Sequence, residues 1–222
     1  MKKKMMIFWV LTFLPLLIVG ISLFFLPEQI PAHYGMSGEV NRWGSKFETL
    51  LFPVMSLLLG IFLAICIRFA RRKEVYGNIN EKIMWIVGIC TLLFLNVLTF
   101  FFLCLALNQV TDISFSAVDI NQWIFGFLGI LLVVIGSILP KVRRNSLIGL
   151  RTIWSMKNDD TWRKSQRFGG MMLMVTGLLM LLFSICLKGV ACFLCSMGLL
   201  IVSTPIDIYY TYRVAKKYED YK

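Results

Sequence analysis

Ile83-Met-Trp-Ile-Val-Gly-Ile-Cys-Thr-Leu-Leu-Phe-Leu-Asn-Val-Leu-Thr-Phe-Phe-Phe-Leu-Cys-Leu-Ala-Leu107 is 25 residues long and holds no charged side chain. A helix rises about 1.5 Å per residue, so about 20 apolar residues cross the roughly 30 Å hydrocarbon layer of a bilayer. This stretch is long enough to cross with some tilt. Five further runs resemble it: Met5–Leu26, Thr49–Ile67, Trp123–Leu139, Phe168–Leu187 and Val190–Ile206. None of the six contains Asp, Glu, Lys, Arg or His. The runs are continuous rather than alternating and too long for barrel strands, which leaves helices as the spanning element. The sequence therefore predicts an all-α, polytopic membrane protein with six transmembrane helices.

Composition agrees. Of 222 residues, 58% are hydrophobic and 16% charged, where a soluble domain carries about 25% charge. A chain this short cannot hide so much apolar surface in one aqueous core. A soluble enzyme, a secreted disulfide scaffold and a disordered tail are excluded. The formal charge of +11 would suggest nucleic acid in a soluble protein, but here it reports topology, and no direct nucleic-acid contact is expected. Sorted by connection, 20 of the 23 Lys and Arg fall in the N-terminus, 68–82, 140–167 and the C-terminal tail. Positive connections stay inside, so both termini are expected to be cytoplasmic, with 27–48, 108–122 and 188–189 outside. Lys2, Lys3 and Lys4 precede a first run that is too long for a signal-peptide core and is followed by Leu26–Pro27 rather than a small-x-small site. It reads as an uncleaved anchor.

All six Cys (66, 90, 104, 186, 192, 195) lie inside apolar runs, where they behave as small apolar residues. Cys192-x-x-Cys195 has a redox or metal spacing, but it is a single pair with no His near it. Asn96 lies midway along its run and reads as interhelical glue or as a polar contact on a substrate path. Gly60-x-x-x-Ala64 permits close helix approach. One His in the whole chain gives no metal cluster, and no nucleophile–base pair or phosphate loop can be assembled, so no enzyme, metal or cofactor is expected.

Two connections are richer than linkers. The outer one runs from Pro27 to Lys46. Its prolines keep it extended, Gly35, Gly38 and Gly44 allow tight turns, and it displays His33, Tyr34, Glu39, Asn41, Trp43 and Lys46. It reads as an ordered excursion that either caps the membrane interface or contacts a peptide, lipid or ion. The inner one runs from Leu139 to Arg167. Leu147, Ile148, Leu150, Ile153 and Trp154 interleave with Arg143, Arg144 and Arg151, as in a segment lying among headgroups. Asn158 reads as an N-cap, with Asp159 and Asp160 in the first turn, where the helix dipole favours anions. Gly149, Arg151 and Trp154 as a set suggest docking of a partner.

These two connections resemble the SdpI-type immunity-protein family of bacterial inner-membrane proteins. The outer resemblance rests on Pro27, Pro31, His33, Tyr34, Gly38, Asn41, Trp43 and Lys46, which match that family's domain of unknown function with its P-x-x-x-P-x-H motif. The inner resemblance rests on Gly136, Leu139, Pro140, Lys141, Asn145, Ile148, Gly149, Arg151, Thr152, Trp154, Trp162, Lys164 and Arg167. Ile153 stands where the family commonly has Pro, and Gln166 where it often has His. The resemblance implies a multi-pass protein of the bacterial cell membrane that protects a producer from its own secreted toxin peptide. It also implies signalling, by holding an ArsR-type repressor at the membrane. On this reading His33, Tyr34, Glu39, Asn41, Trp43 and Lys46 meet the toxin, and Asn145, Gly149, Arg151, Thr152, Trp154 and Trp162 carry the signal or partner. Three units are expected: 1–67 with its ordered loop, 68–122, and an SdpI-like unit 123–222. A small-molecule or lipid transporter, or a structural envelope protein, is the alternative. The missing intramembrane charges and the missing inverted repeat weigh against transport.

Overall fold

The computed structural model describes residues 2–35, 38–113 and 119–219. Met36 and Ser37 of the outer connection, 114–118 of the expected outer loop 108–122, and Lys222 of the basic tail lie outside the described residues. The element order is α1 (Lys2–Ser22), β1 (Gln29–Tyr34), β2 (Val40–Ser45), α2 (Leu51–Lys73), α3 (Gly77–Leu107), α4 (Ile120–Ile138), α5 (Asp159–Cys186) and α6 (Gly189–Glu219). All six helices are long and apolar enough to cross a membrane. The chain is a six-helix membrane protein.

The helices and the apolar runs differ most at one end. α2 continues through Arg71–Lys73, α3 begins at Gly77, α5 begins at Asp159, and α6 runs on to Glu219. An apolar run marks the thickness of hydrocarbon, whereas the helix continues into the headgroup layer wherever local propensity allows. One consequence concerns Asp207, which lies one residue past the apolar run yet inside the continuous helix α6, with a buried Oδ1 lacking a hydrogen bond among the described residues.

Short connections alternate the helices between two ends. The β1–β2 hairpin, the α3–α4 connection and the α5–α6 turn share one end. The α2–α3 turn, the loop 142–158, the start of α1 and the end of α6 share the other, called here the basic end. α1, α2 and α3 pack together around Phe8, Ile67, Ala70, Met84, Trp85 and Leu92, with Phe8 edge-on to Trp85 at 4.9 Å. α4, α5 and α6 pack around Phe125, Met180 and Cys192. Ile83, Leu139, Val142 and Trp162 join the two groups at the basic end.

The α4–α5 seam is built on glycine. A Cβ on Gly129 would lie 2.7 Å from the Gly177 carbonyl oxygen, and one on Gly136 would lie 2.6 Å from that of Gly170. Without a hydrophobic drive between helices in lipid, close backbone approach supplies the packing energy. Gly60 plays the same part between α2 and α1: its Cβ would meet the Thr12 side chain at 2.5 Å, in accord with the Gly60-x-x-x-Ala64 reading.

Asn96 is interhelical glue of a specific kind. Pro15 sits inside α1 and has no N–H, so it leaves the carbonyl of Leu11 without its helical donor. Asn96 Nδ2 of α3 donates to that oxygen at 2.9 Å, and Ser56 Oγ of α2 approaches it at 3.5 Å. One proline thus creates an acceptor that ties three helices together. Asn96→Leu is expected to cost about 1–2 kcal/mol, because the freed carbonyl loses its best donor. With Pro15→Ala the backbone donor returns, and Asn96→Leu should then cost only about 0.5 kcal/mol. Unfolding midpoints of the four proteins in mixed micelles measure the cycle. Equal losses in both backgrounds would refute the account.

Candidate functional site

The outer connection, read as an ordered loop, folds as an antiparallel hairpin with Ile30 opposite Gly44 and Pro31 opposite Trp43. Register irregularities flank His33. Pro31 is tolerated because a two-stranded sheet has only edges. Gly38, at φ +92°, turns the chain in a conformation that suits glycine. Backbone bonds from Val40 N to Thr111 O and from Ile113 N to Gly38 O attach the hairpin to the α3–α4 connection, and Glu39 forms a bridge with Asp112 there. Tyr34 adds a long-range pin, its hydroxyl donating to the Val110 carbonyl at 2.7 Å. Burial pushes the Tyr34 phenol up to about 12, so it remains a neutral donor at any physiological pH.

Beneath the hairpin lies a cavity of about 1110 Å3. Its polar rim holds His33, Tyr34, Asn41, Arg42 and Glu48. His33 Nδ1 and Asn41 Oδ1 are 2.6 Å apart across the two strands. Arg42 grips Glu48 through two bonds of 3.0 and 2.8 Å, and this pairing holds its guanidinium above its ordinary pKa. The apolar walls come from four helices, with Leu51, Met55 and Leu58 of α2, Phe102 of α3, Ile124 of α4 and Phe193 of α6. Leu51 and Leu58 are more than 60% exposed in the protein alone, so the α2 wall opens toward lipid. The site combines a charged lip at the membrane surface with a greasy interior. That shape suits an amphipathic ligand.

Of the six outer residues singled out in the sequence, His33, Tyr34 and Asn41 come to the cavity. Glu39, Trp43 and Lys46 do not line it. Glu39 serves the hairpin's attachment, Trp43 is exposed beside the rim, and Lys46 is held by Glu28 at 2.9 Å. Arg42 and Glu48 are rim residues that the sequence reading passed over.

At the basic end, the loop 142–158 is folded by side-chain amides. Buried Asn145 accepts from Leu147 N and Ile148 N and donates to Arg143 O and Ile148 O. Fully buried Asn80 of α3 clamps Arg143 by both its backbone groups, at 2.9 and 3.0 Å. Fully buried Gln166 of α5 does the same for Leu150, at 2.8 and 3.0 Å. Gly149 adopts φ +114° here. A Cβ would lie 2.7 Å from Gln166 Oε1 and 2.9 Å from the Trp162 ring. Trp162 is buried and donates to Val142 O. Thr152 hydrogen-bonds Thr211 of α6, and Trp154 packs edge-on to Tyr212 at 5.4 Å. Asn158 caps α5 with a capping box through Thr161, as the sequence indicates.

Four of the six inner residues, Asn145, Gly149, Thr152 and Trp162, thus build the loop from inside. Arg151 faces outward without a hydrogen bond or ion pair among the described residues, and Ile153 beside it is 77% exposed. Leu147 and Ile148, expected among headgroups, pack instead against the α1–α3 core. Asn80 and Gln166 are the structural residues that sequence reasoning missed. Among the described residues, no group of three His, Cys, Asp or Glu could hold a metal.

Comparison with known proteins separates the two regions in the same way. The SdpI/YfhL protein family model matches residues 141–210, covering the loop with α5 and most of α6. The domain of unknown function DUF1648 matches residues 10–57, covering the second part of α1, the hairpin and the start of α2. Over 162 residues the chain is 24% identical to the immunity protein SdpI of Bacillus subtilis (strain 168), a match covering 72% of this chain and 71% of that protein. No solved structure matches. With six spanning helices, a region matching DUF1648 and a region matching the SdpI/YfhL family in this order, the chain is a multi-pass bacterial cell-membrane protein similar to the immunity protein SdpI.

Proposed function

We propose that this protein confers immunity to a secreted antimicrobial peptide, with the hairpin end facing outside and the basic end in the cytoplasm. The observation that carries this reading is the capped cavity, which lies under the hairpin and is open on the exposed side of α2. A toxic peptide that attacks a membrane is itself amphipathic. Its apolar segment would enter between α2, α3 and α6, while its polar part meets His33, Asn41 and Arg42. Tyr34 holds the roof in place, and Trp43, Glu39 and Lys46 form the surface around the entrance. The relative named as an immunity protein supports the same assignment. Inside, the stiff loop 142–158 presents Arg151 and Ile153, which suits docking of an ArsR-type repressor whose retention at the membrane would report the occupied state. Asn145, Gly149, Thr152, Trp154 and Trp162 hold that surface in shape.

Expression in a toxin-sensitive strain should raise survival under the toxin. Arg42→Ala should lower the protective effect about tenfold, the loss expected when a charge-assisted hydrogen bond to the ligand goes. Folding should survive that change, because an exposed ion pair such as Arg42–Glu48 contributes little to stability. Arg151→Ala should leave survival intact and abolish induction of a repressor-controlled reporter. No gain in survival from the unaltered protein would sink the immunity reading. Protection without any reporter response would confine it to immunity alone.

A further inference from the structure

A second cavity, of about 510 Å3, opens at the basic end between the α2–α3 turn, the end of α4 and the first turns of α5. Five cations line it, and two of them are already neutralised. Arg144 pairs with Asp159 and Arg163 with Asp160, both at 2.9 Å. Lys141, Arg143 and Arg167 also line it and have no ion pair or side-chain hydrogen bond among the described residues. Their position is not accidental. Asn80 fixes the Arg143 backbone from both sides, Pro140 starts the turn that carries Lys141, and Arg167 rides on the helix capped by Asn158. Three uncompensated cations are therefore held on a rigid frame around one hollow.

The lip of the hollow has a different character. Ile79 lines it and is 50% exposed, on a helix that continues straight into the span of α3. An anion bound here would sit at headgroup depth with an apolar path leading from it into the bilayer. A soluble phosphate needs the cations but not that path. We infer that this cavity is a binding site for the phosphate headgroup of an anionic phospholipid in the leaflet at the basic end. Its phosphodiester would lie among Lys141, Arg143 and Arg167, with an acyl chain descending past Ile79. The volume falls within the range of small-ligand pockets, roughly 300–1,000 Å3. The cations are of the kind that attract anionic lipid when placed between helices at a membrane surface. The bound lipid would bridge α3, α4 and α5 at the point where the two helix groups meet.

The test uses the full chain in neutral detergent, titrated with phosphatidylglycerol or with phosphatidylcholine and read by native mass spectrometry. Phosphatidylglycerol should be retained about tenfold better. Lys141→Gln, Arg143→Gln and Arg167→Gln should each weaken retention about fivefold, the effect of removing one cation near an anionic headgroup. None of these side chains bonds to the protein, so the variants should keep the unfolding midpoint of the unaltered chain. The control removes the same charge elsewhere at the same end: Arg68→Gln, Arg72→Gln and Lys73→Gln together should leave retention unchanged. Equal retention of the two lipids, or an equal loss in the control triple variant, overturns the site in favour of diffuse surface charge. Complete displacement of phosphatidylglycerol by millimolar inorganic phosphate also overturns the lipid assignment, because the hollow would then recognise a soluble anion.

Discussion

Gly170→Leu is expected to destabilise the protein by at least about 3 kcal/mol, the upper part of the range for overpacking a close-packed site. The reason lies in what the new side chain would meet. Most overpacked cores relax by turning a neighbouring side chain. At Gly170 the nearest atom to a new Cβ is the Gly136 backbone oxygen, at 2.6 Å, followed by the Pro140 ring at 2.9 Å. Neither can rotate away, so α4 and α5 must separate. Separation also costs the second contact of the seam, two turns along, where Gly129 and Gly177 meet in the same way. Dispersion contacts fall steeply with distance, so even a small displacement forfeits much of the packing between the two helices. Gly198→Leu in α6 is the matched control, since a Cβ there meets nothing within 4 Å. It should be neutral or slightly stabilising, because glycine is a poor helix former. Reversible unfolding in mixed micelles compares the two. The pair Gly136→Ala and Gly170→Ala should also be non-additive, as the first substitution opens the space that the second needs. A Gly170→Leu protein as stable as Gly198→Leu would show that the seam is not closed by backbone contact.

That seam also shows where sequence reading stops. The six spans were legible because hydrocarbon imposes a length and forbids charge, and both constraints are local. The glycines of α4 and α5 carry their signal at a spacing of seven, two helical turns, which is readable only once the two helices are known to pair. Attention to small residues four apart finds Gly60 and passes over Gly129, Gly136, Gly170 and Gly177. The hairpin is a similar case. Gln29–Tyr34 lacks an alternating pattern, contains Pro31, and pairs with irregular register around His33, so nothing local says strand. His33, Tyr34 and Asn41 were nevertheless found, because they are polar residues crowded into a short connection. Arg42 and Glu48 were not, since an ion pair across a fold has no sequence mark of its own.

The inner loop divides along the same line. Asn158 was recognised from local rules, as capping is a property of adjacent residues. Asn80 and Gln166 act on backbone 63 and 16 residues away, which no local rule captures. Asn96 was visible as a polar residue in hydrocarbon, but its partner became visible only when Pro15 of another helix was set beside it. Long-range satisfaction of backbone groups is the common element in all three amides. Each replaces a secondary-structure hydrogen bond that the local chain cannot make.

Gln166→Leu should therefore loosen the loop while leaving the six helices in place. Leucine fills a similar space, so the effect isolates hydrogen bonding rather than cavity formation. The Leu150 N–H loses its acceptor, and the Leu150 carbonyl keeps only the Ser155 hydroxyl at 2.9 Å. One orphaned donor and one lost bond together cost about 2–4 kcal/mol. The loss falls on a segment of irregular backbone that relies on Asn145, Asn80 and Gln166 for its shape, so it should appear as local opening. Trypsin cutting after exposed Arg151 in detergent-solubilised protein reads that opening directly, with cleavage expected to accelerate about 30-fold for 2 kcal/mol. Gln166→Glu separates charge from shape. Its ionised carboxylate still accepts from Leu150 N but faces the Leu150 carbonyl with no proton to donate. Protonated, it regains a donor. Burial and that carbonyl both raise the carboxyl above the usual value of about 4.3, favouring the neutral form. A group whose pKa is raised on folding contributes its stability at low pH and loses it as pH climbs through the folded value. Cleavage of Gln166→Glu, taken relative to the unaltered protein at the same pH so that trypsin's own pH dependence cancels, should accordingly be near one at mildly acid pH and rise toward that of Gln166→Leu at neutral pH. The same relative cleavage of Gln166→Glu at both pH values would mean that the amide fills space and that something other than its two hydrogen bonds holds the loop.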